Sequence, residues 1–131
     1  MPVTFKSIHI GQTYTRPELA KMWGYKGYQA IARGLVTPRN DNKLIYFITE
    51  DKQPSARQYK DHLVGRKLTI EGPDDHFADE RAIAAKTTNT DELHLFYRER
   101  HHAPFEYKGR MRCLAYKSQG KAPTQFDFEL Q

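Results

Sequence analysis

Apolar positions recur along this chain mostly at the two-residue spacing of strands. Leu44-Ile45-Tyr46-Phe47-Ile48 is an unbroken apolar run, which predicts a strand over Lys43–Thr49 that is covered on both faces and so sits centrally in a sheet. From Glu92 onward the residues alternate. Leu93, Leu95 and Tyr97 fall on one face, and His94, Phe96, Arg98 and Arg100 on the other, because successive strand side chains point to opposite sides. This strand ends in Arg98, Arg100, His101 and His102, turns at Ala103-Pro104, resumes at Phe105-Glu106-Tyr107 and stops at Gly109. Phe126, Phe128 and Leu130 alternate with Gln125, Asp127 and Glu129 as in a half-buried strand. Leu35–Pro38, an Asx-rich turn at Arg39–Asn42 and the Lys43 strand read as a β-hairpin. Gln58–Asp61, Lys67–Glu71 and Arg110–Lys117 are further extended pieces. Residues 3–10 are a strand or a docking arm, Glu50–Gln58 is a surface loop, and Gly72–Asp75 and Thr87–Asp91 are turns.

Helical signals are few. Thr15-Arg16-Pro17-Glu18 carries a capping box with proline in the first turn. Leu19, Met22 and Trp23 would share a face, and Gly24 would end the helix. A second short helix is expected over Tyr28–Arg33, ended by Gly34. Asp79–Lys86 is helix or strand, with helix favoured by its alanines. The expected architecture is α+β: a small, strongly bent antiparallel sheet or barrel with two short N-terminal helices packed on one side.

A chain of 131 residues suits one domain, residues 1–131, with one core. Eight Tyr, seven Phe and one Trp supply large buried areas. Lys and Arg number 21 against 16 Asp and Glu, a net charge of +5, which favours a polyanionic partner. The single Cys113 excludes an internal disulfide and a cysteine-rich zinc site, and its flanks read as a buried strand thiol. No apolar run is long enough to span a membrane and no signal-peptide pattern follows Met1. The expectation is a cytoplasmic protein with no membrane partner.

Candidate chemistry narrows the function. His76, His94, His101 and His102 lack the spaced thiols or carboxylates of a metal site, and read more simply as a partly protonated support for anion binding. Glu71, Asp74, Asp75, Asp79, Glu80 and Lys86 resemble a magnesium-nuclease set in composition, but no Glu-x-Lys follows. No catalytic residue, metal or cofactor is assigned. Basic residues interleaved with aromatics are the stronger signal. Arg33, Arg39, Lys43, Arg98 and Arg100, with Arg57, Lys60, Arg66, Lys67, Arg110 and Arg112, fall at hairpin ends and loops, where phosphate contacts are common. Tyr25, Tyr28, Tyr46, Tyr59 and Tyr97 are candidate stacking surfaces. Asp61 or Glu71 would accept a hydrogen bond from an amino group of a base.

Taken together the motifs resemble the SRA-like modified-DNA-binding domain at the C-terminal end of some helicase-type and HNH-type restriction enzymes. The matching pieces are Tyr14–Leu19, Arg33-Gly34, Phe47–Lys52, Gln58–Asp61, Leu68–Gly72, Asp79–Arg81, Leu95–Glu99 and Pro104–Gly109. Their order and spacing, over about Gly11 to Leu130, carry the resemblance. It implies a PUA-like or SRA-like barrel that flips a modified cytosine of duplex DNA into an aromatic pocket, so that an attached nuclease cuts only foreign DNA. Ile70 stands where the family has an aromatic. With no nuclease or helicase segment in the sequence, the chain is expected to be an excised domain or a stand-alone reader, partnered by a nuclease or helicase domain or subunit. The implied base pocket is Tyr59, Asp61, Glu71, Asp79 with Arg81, Tyr28 and Tyr46. The implied phosphate contacts are Arg98, Arg100, His101, His102, Arg33, Arg39 and Lys43. Other classes open at this point are an RNA-binding PUA-like module, a small metal-dependent nuclease and a protein-interaction module.

Overall fold

The computed structural model describes residues 3–38, 41–51, 62–71, 79–84, 91–100, 102–119 and 122–131. The extended piece expected at Gln58–Asp61, the turn at Gly72–Asp75 and most of that at Thr87–Asp91 lie outside these residues. Strand β1 is Thr13–Tyr14, helix α1 Arg16–Met22, and a single 3₁₀ turn spans Tyr28–Ile31. Then come β2 (Leu35–Val36), β3 (Lys43–Asp51), β4 (His62–Val64), β5 (Lys67–Glu71), helix α2 (Asp79–Ala84), β6 (Glu92–Arg100), β7 (Phe105–Gln119) and β8 (Ala122–Leu130). One sheet runs in the order β2-β3-β6-β7-β8-β5-β4, with β1 added to β7.

The sheet curls strongly into a half-barrel. A single pair of rings demonstrates it. Tyr46 on β3 and Phe128 on β8 have centroids 5.3 Å apart although two strands lie between them in the sheet order; in a flat sheet that offset is about 14 Å. Leu44, Tyr46, Ile48, Leu68, Leu93, Leu95, Met111, Phe126 and Phe128 fill the inside of the curl. The other face of β3, β6 and β7 buries Ile45, Phe47, Phe96, Phe105 and Tyr107 under Leu19, Ala20 and Trp23 of α1, Ile31 and the segment before β1. The sheet therefore separates two cores, which is why β3 is apolar on both faces.

Several expectations are corrected. The sheet is not wholly antiparallel: β3 and β6 pair in parallel, Leu44 with Leu93, Phe47 with Phe96, Thr49 with Arg98 and Asp51 with Arg100. A parallel pair needs a long crossover, here the segment containing β4, β5 and α2. The strand also continues past Thr49 to Asp51, into the expected loop. Gly109 does not stop the strand after Tyr107. Leu95 pairs with Gly109 and Phe96 with Tyr107, leaving Lys108 as the extra residue of a β-bulge, and Gly109 takes φ +104°. Residues 3–10 form an arm without strand structure. It is pinned by Val3 N–H to Asp41 Oδ2 at 3.0 Å, the Trp23 indole N–H to Thr4 O at 3.0 Å and Gly11 N–H to Tyr107 O at 2.9 Å.

Helix α1 has its capping box, with Glu18 N–H on Thr15 Oγ1 at 3.3 Å and Thr15 N–H on Glu18 Oε1 at 3.1 Å. Gly24 follows in the left-handed region at φ +79°. Its buried face is Leu19, Ala20 and Trp23, whereas Met22 is 42% exposed, because the arm and the sheet meet the helix on the Ala20 side. The second helix shrinks to one 3₁₀ turn, whose first position, after Gly27, has no side-chain cap. Asp79–Ala84 is helical, as alanine propensity favours. Cys113 is buried and the β8 alternation holds.

Candidate nucleic-acid interface

The parallel β3–β6 register places Thr49 beside Arg98 at the C-terminal ends of both strands. Arg98 donates from Nε to Thr49 Oγ1 at 2.7 Å and from Nη1 to Ala103 O at 3.1 Å. Its guanidinium carbon lies 4.2 Å from the centre of the Phe105 ring. A second guanidinium approaches from α1. Arg16 lies 5.0 Å from the same Phe105 ring and 4.9 Å from that of Phe47, and donates to Ile31 O at 3.2 Å and Arg33 O at 3.3 Å. Phe47 and Phe105 are edge-to-face at 5.1 Å, so two perpendicular aromatic surfaces carry the two cations.

The electrostatics are unusual for arginine. Burial, and then the charge of Arg98, lower the Arg16 pKa to about 10, and burial lowers that of Arg98. Both remain cationic at neutral pH. Neither is hydrogen-bonded or ion-paired to a carboxylate among the described residues; their partners are a hydroxyl and main-chain carbonyls. Other basic side chains differ. Lys43 pairs with Asp41 at 3.0 Å, Arg81 with Asp91 at 2.5 Å, Lys108 with Glu106 at 3.1 Å and Arg112 with Glu129 at 2.7 Å. Strand alternation turns two neighbouring carboxylates away from Arg98, while Asp51 is the register partner of Arg100. Glu99 points away from Arg98 and Arg100, and Glu50 lies on the face opposite Thr49, where it accepts the Tyr97 hydroxyl proton in a hydrogen bond.

Arg33 and Arg100 are exposed close by and form no side-chain hydrogen bond or ion pair among the described residues. His102 is exposed and left-handed at φ 69°. Of the residues expected as phosphate contacts, the fold brings Arg33, Arg98, Arg100 and His102 to one end of the sheet. Arg39 and His101 lie outside the described residues. Lys43 does not join them: it begins β3, six residues before Thr49, about 20 Å away along the strand, and is held by Asp41.

Arg16 is the residue sequence reasoning missed. A signal existed. A cation in the first turn opposes the helix dipole, so its place there calls for some other reason.

The expected base-pocket residues fall on several elements. Tyr59 and Asp61 lie outside the described residues. Glu71 is the last residue of β5 and Asp79 the first of α2. Arg81 donates to both oxygens of Asp91 and, at 3.2 Å, to Asp41 O, tying α2 to the chain before β6 and before β3. The Asp91 hydrogen bond raises its pKa, against the opposing effect of burial. Tyr46 is 2% exposed in the inner core, and Tyr28 is 46% exposed beside the outer one, so the sheet stands between them.

His94 also departs from expectation. It is not a partly protonated anion support but a buried ring stacked on Phe5 at 3.7 Å and 7°. Its Nε2 is 3.0 Å from Glu92 Oε1 and its Nδ1 is 2.7 Å from the Tyr107 hydroxyl. Since the carboxylate only accepts, Nε2 carries the proton and Nδ1 accepts from Tyr107. Burial pushes the pKa down to about 4, against the raising effect of Glu92, so the ring is neutral at pH 7. No cluster of three or more metal-ligating side chains occurs among the described residues, and no helix among them is long and apolar enough to cross a membrane.

Compared with protein families and with individual curated proteins, the chain gives no match.

Proposed function

We propose that this chain is a DNA-binding reader that recognises modified cytosine, 5-methyl or 5-hydroxymethyl, in duplex DNA and has no catalysis of its own. The observation that carries the reading is the gathering of Arg16, Arg33, Arg98 and Arg100 at one end of the sheet without a carboxylate bonded to any of them among the described residues. Buried and half-buried charges are ordinarily paired; cations left open at a surface favour an anion supplied from outside, and a net charge of +5 favours a polyanion. The modified-base part of the proposal rests on the order of motifs from Tyr14 to Gly109 that resembles SRA-like domains. A strongly curled half-barrel with two helices is compatible with such a domain. In this reading the base enters a pocket near Asp61, Glu71 and Asp79, and a nuclease or helicase domain or subunit acts on the result.

Fluorescence anisotropy with matched duplexes carrying cytosine, 5-methylcytosine or 5-hydroxymethylcytosine at one central position, at two salt concentrations, tests it. Tighter binding of one modified duplex at both salts is the expected result. Arg33→Ala and Arg100→Ala should weaken all duplexes alike and each lower the salt slope by about one. Asp61→Ala or Glu71→Ala should abolish discrimination. Equal affinity for all three duplexes removes the base-reading part, and preference for RNA competitors replaces DNA with RNA as the ligand.

A further inference from the structure

Within that cationic edge, Arg16 and Arg98 differ from Arg33 and Arg100 in being fixed. Each guanidinium has five N–H donors. Arg98 uses Nε and one Nη1 hydrogen on Thr49 and Ala103; Arg16 uses Nε and one Nη2 hydrogen on Ile31 and Arg33. Each therefore keeps one terminal nitrogen, Nη1 of Arg16 and Nη2 of Arg98, with both hydrogens uncommitted. Both also lie against the same aromatic ring, their guanidinium carbons 5.0 Å and 4.2 Å from the centre of Phe105. The two cationic carbons are thus less than twice 5.0 Å apart. One tetrahedral anion bridges such a gap when each guanidinium donates at the usual charge-assisted length of about 2.8 Å. Holding two like charges this close, partly out of water, is unfavourable until an anion lies between them.

We propose that Arg16 and Arg98 form a two-guanidinium clamp for a single phosphate group, one nitrogen of each donating to the same phosphate. The clamp rests on reading this edge as phosphate-binding, and makes Arg16 and Arg98 a register-setting contact where Arg33 and Arg100 are diffuse ones. The phosphate is that of a nucleic-acid backbone or of a free phosphate ion; the chemistry is common to both.

Two measurements on the full chain decide it. In the first, the unmodified protein is titrated with inorganic phosphate while the arginine Nε–H resonances are followed by NMR. The clamp predicts that the Arg16 and Arg98 signals move together along one millimolar-range curve, with Arg33 and Arg100 moving little. Equal small shifts at all four, or none, overturn it. In the second, a plain duplex is titrated against Arg16→Gln, Arg98→Gln and the double variant, with thermal unfolding as a check. Because Arg98 also holds the Ala103 turn, Arg98→Lys, which keeps the charge but not the fork, serves if Arg98→Gln is unstable. Each single change should weaken binding roughly tenfold. The double change should cost little more than either single one and lower the salt slope by about one. Losses that multiply, with a slope reduced by about two, mean two separate contacts and overturn the clamp. If phosphate binds but no duplex does, the clamp stands and the DNA reading falls; if duplexes bind while the two arginines behave independently, the reverse holds.

Discussion

His94 illustrates how a residue's chemistry is settled by what covers it. Alternation along β6 puts it on the face of Phe96, and that much was legible. Its burial was not, since the covering ring, Phe5, is some ninety positions away and no local pattern marks residues 3–10 as a lid. The consequence is a stability that depends on pH. The folded-state pKa is lowered to about 4 from the ordinary 6.5, so the unfolded chain binds the proton first. The contribution of the neutral His94 ring is therefore complete above about pH 6.5 and falls as pH drops toward 4. The loss at full protonation is on the order of 3 kcal/mol. Chemical denaturation at pH 7, 6, 5 and 4 should show this decline, and His94→Phe should flatten it over that window, whatever its effect at pH 7. The same logic explains Arg16. Its position against the helix dipole was visible, but its aromatic platform came from β3 and β7, which only the folded chain brings to it.

Elements were legible in proportion to how local their causes are. The capping box of α1, the β2–β3 hairpin and the alternation of β8 depend on residues a few positions apart, and all were readable. The β3–β6 pair joins Thr49 to Arg98, and nothing near either residue states that the strands run parallel. Gly109 was misread for a related reason: glycine signals both a stop and a bulge, and the difference lies in whether a partner strand is present to skip a residue. That bulge makes a firm prediction. At φ +104°, with Ile10 Cδ1 only 3.0 Å from where a Cβ would sit, Gly109→Ala is strained in both backbone and packing. It should destabilise the fold by about 2 kcal/mol, measurable by urea unfolding. Gly65→Ala, at φ +61° with open space around it, should cost less.

At the scale of the molecule, one sheet divides two apolar cores, and the outer one depends on an arm that contributes no strand. The fold class was legible because fifteen Phe and Tyr residues and mostly alternating strands leave few other architectures. The curl itself was only partly so, since it is fixed by contacts such as Tyr46 with Phe128 between strands that are not neighbours. The arm also gives the chain an optical property. Trp23, the only tryptophan, is buried with its indole N–H on the arm at Thr4 and its ring 5.7 Å from Phe5. Release of residues 3–8 wets that ring and shifts its emission to longer wavelength, while the strands stay paired. Acidification should produce this red shift before the far-ultraviolet circular dichroism of the sheet is lost, because the arm's ring rests directly on the imidazole that becomes charged. The protein thus carries its own spectroscopic gauge of whether its outer core is closed.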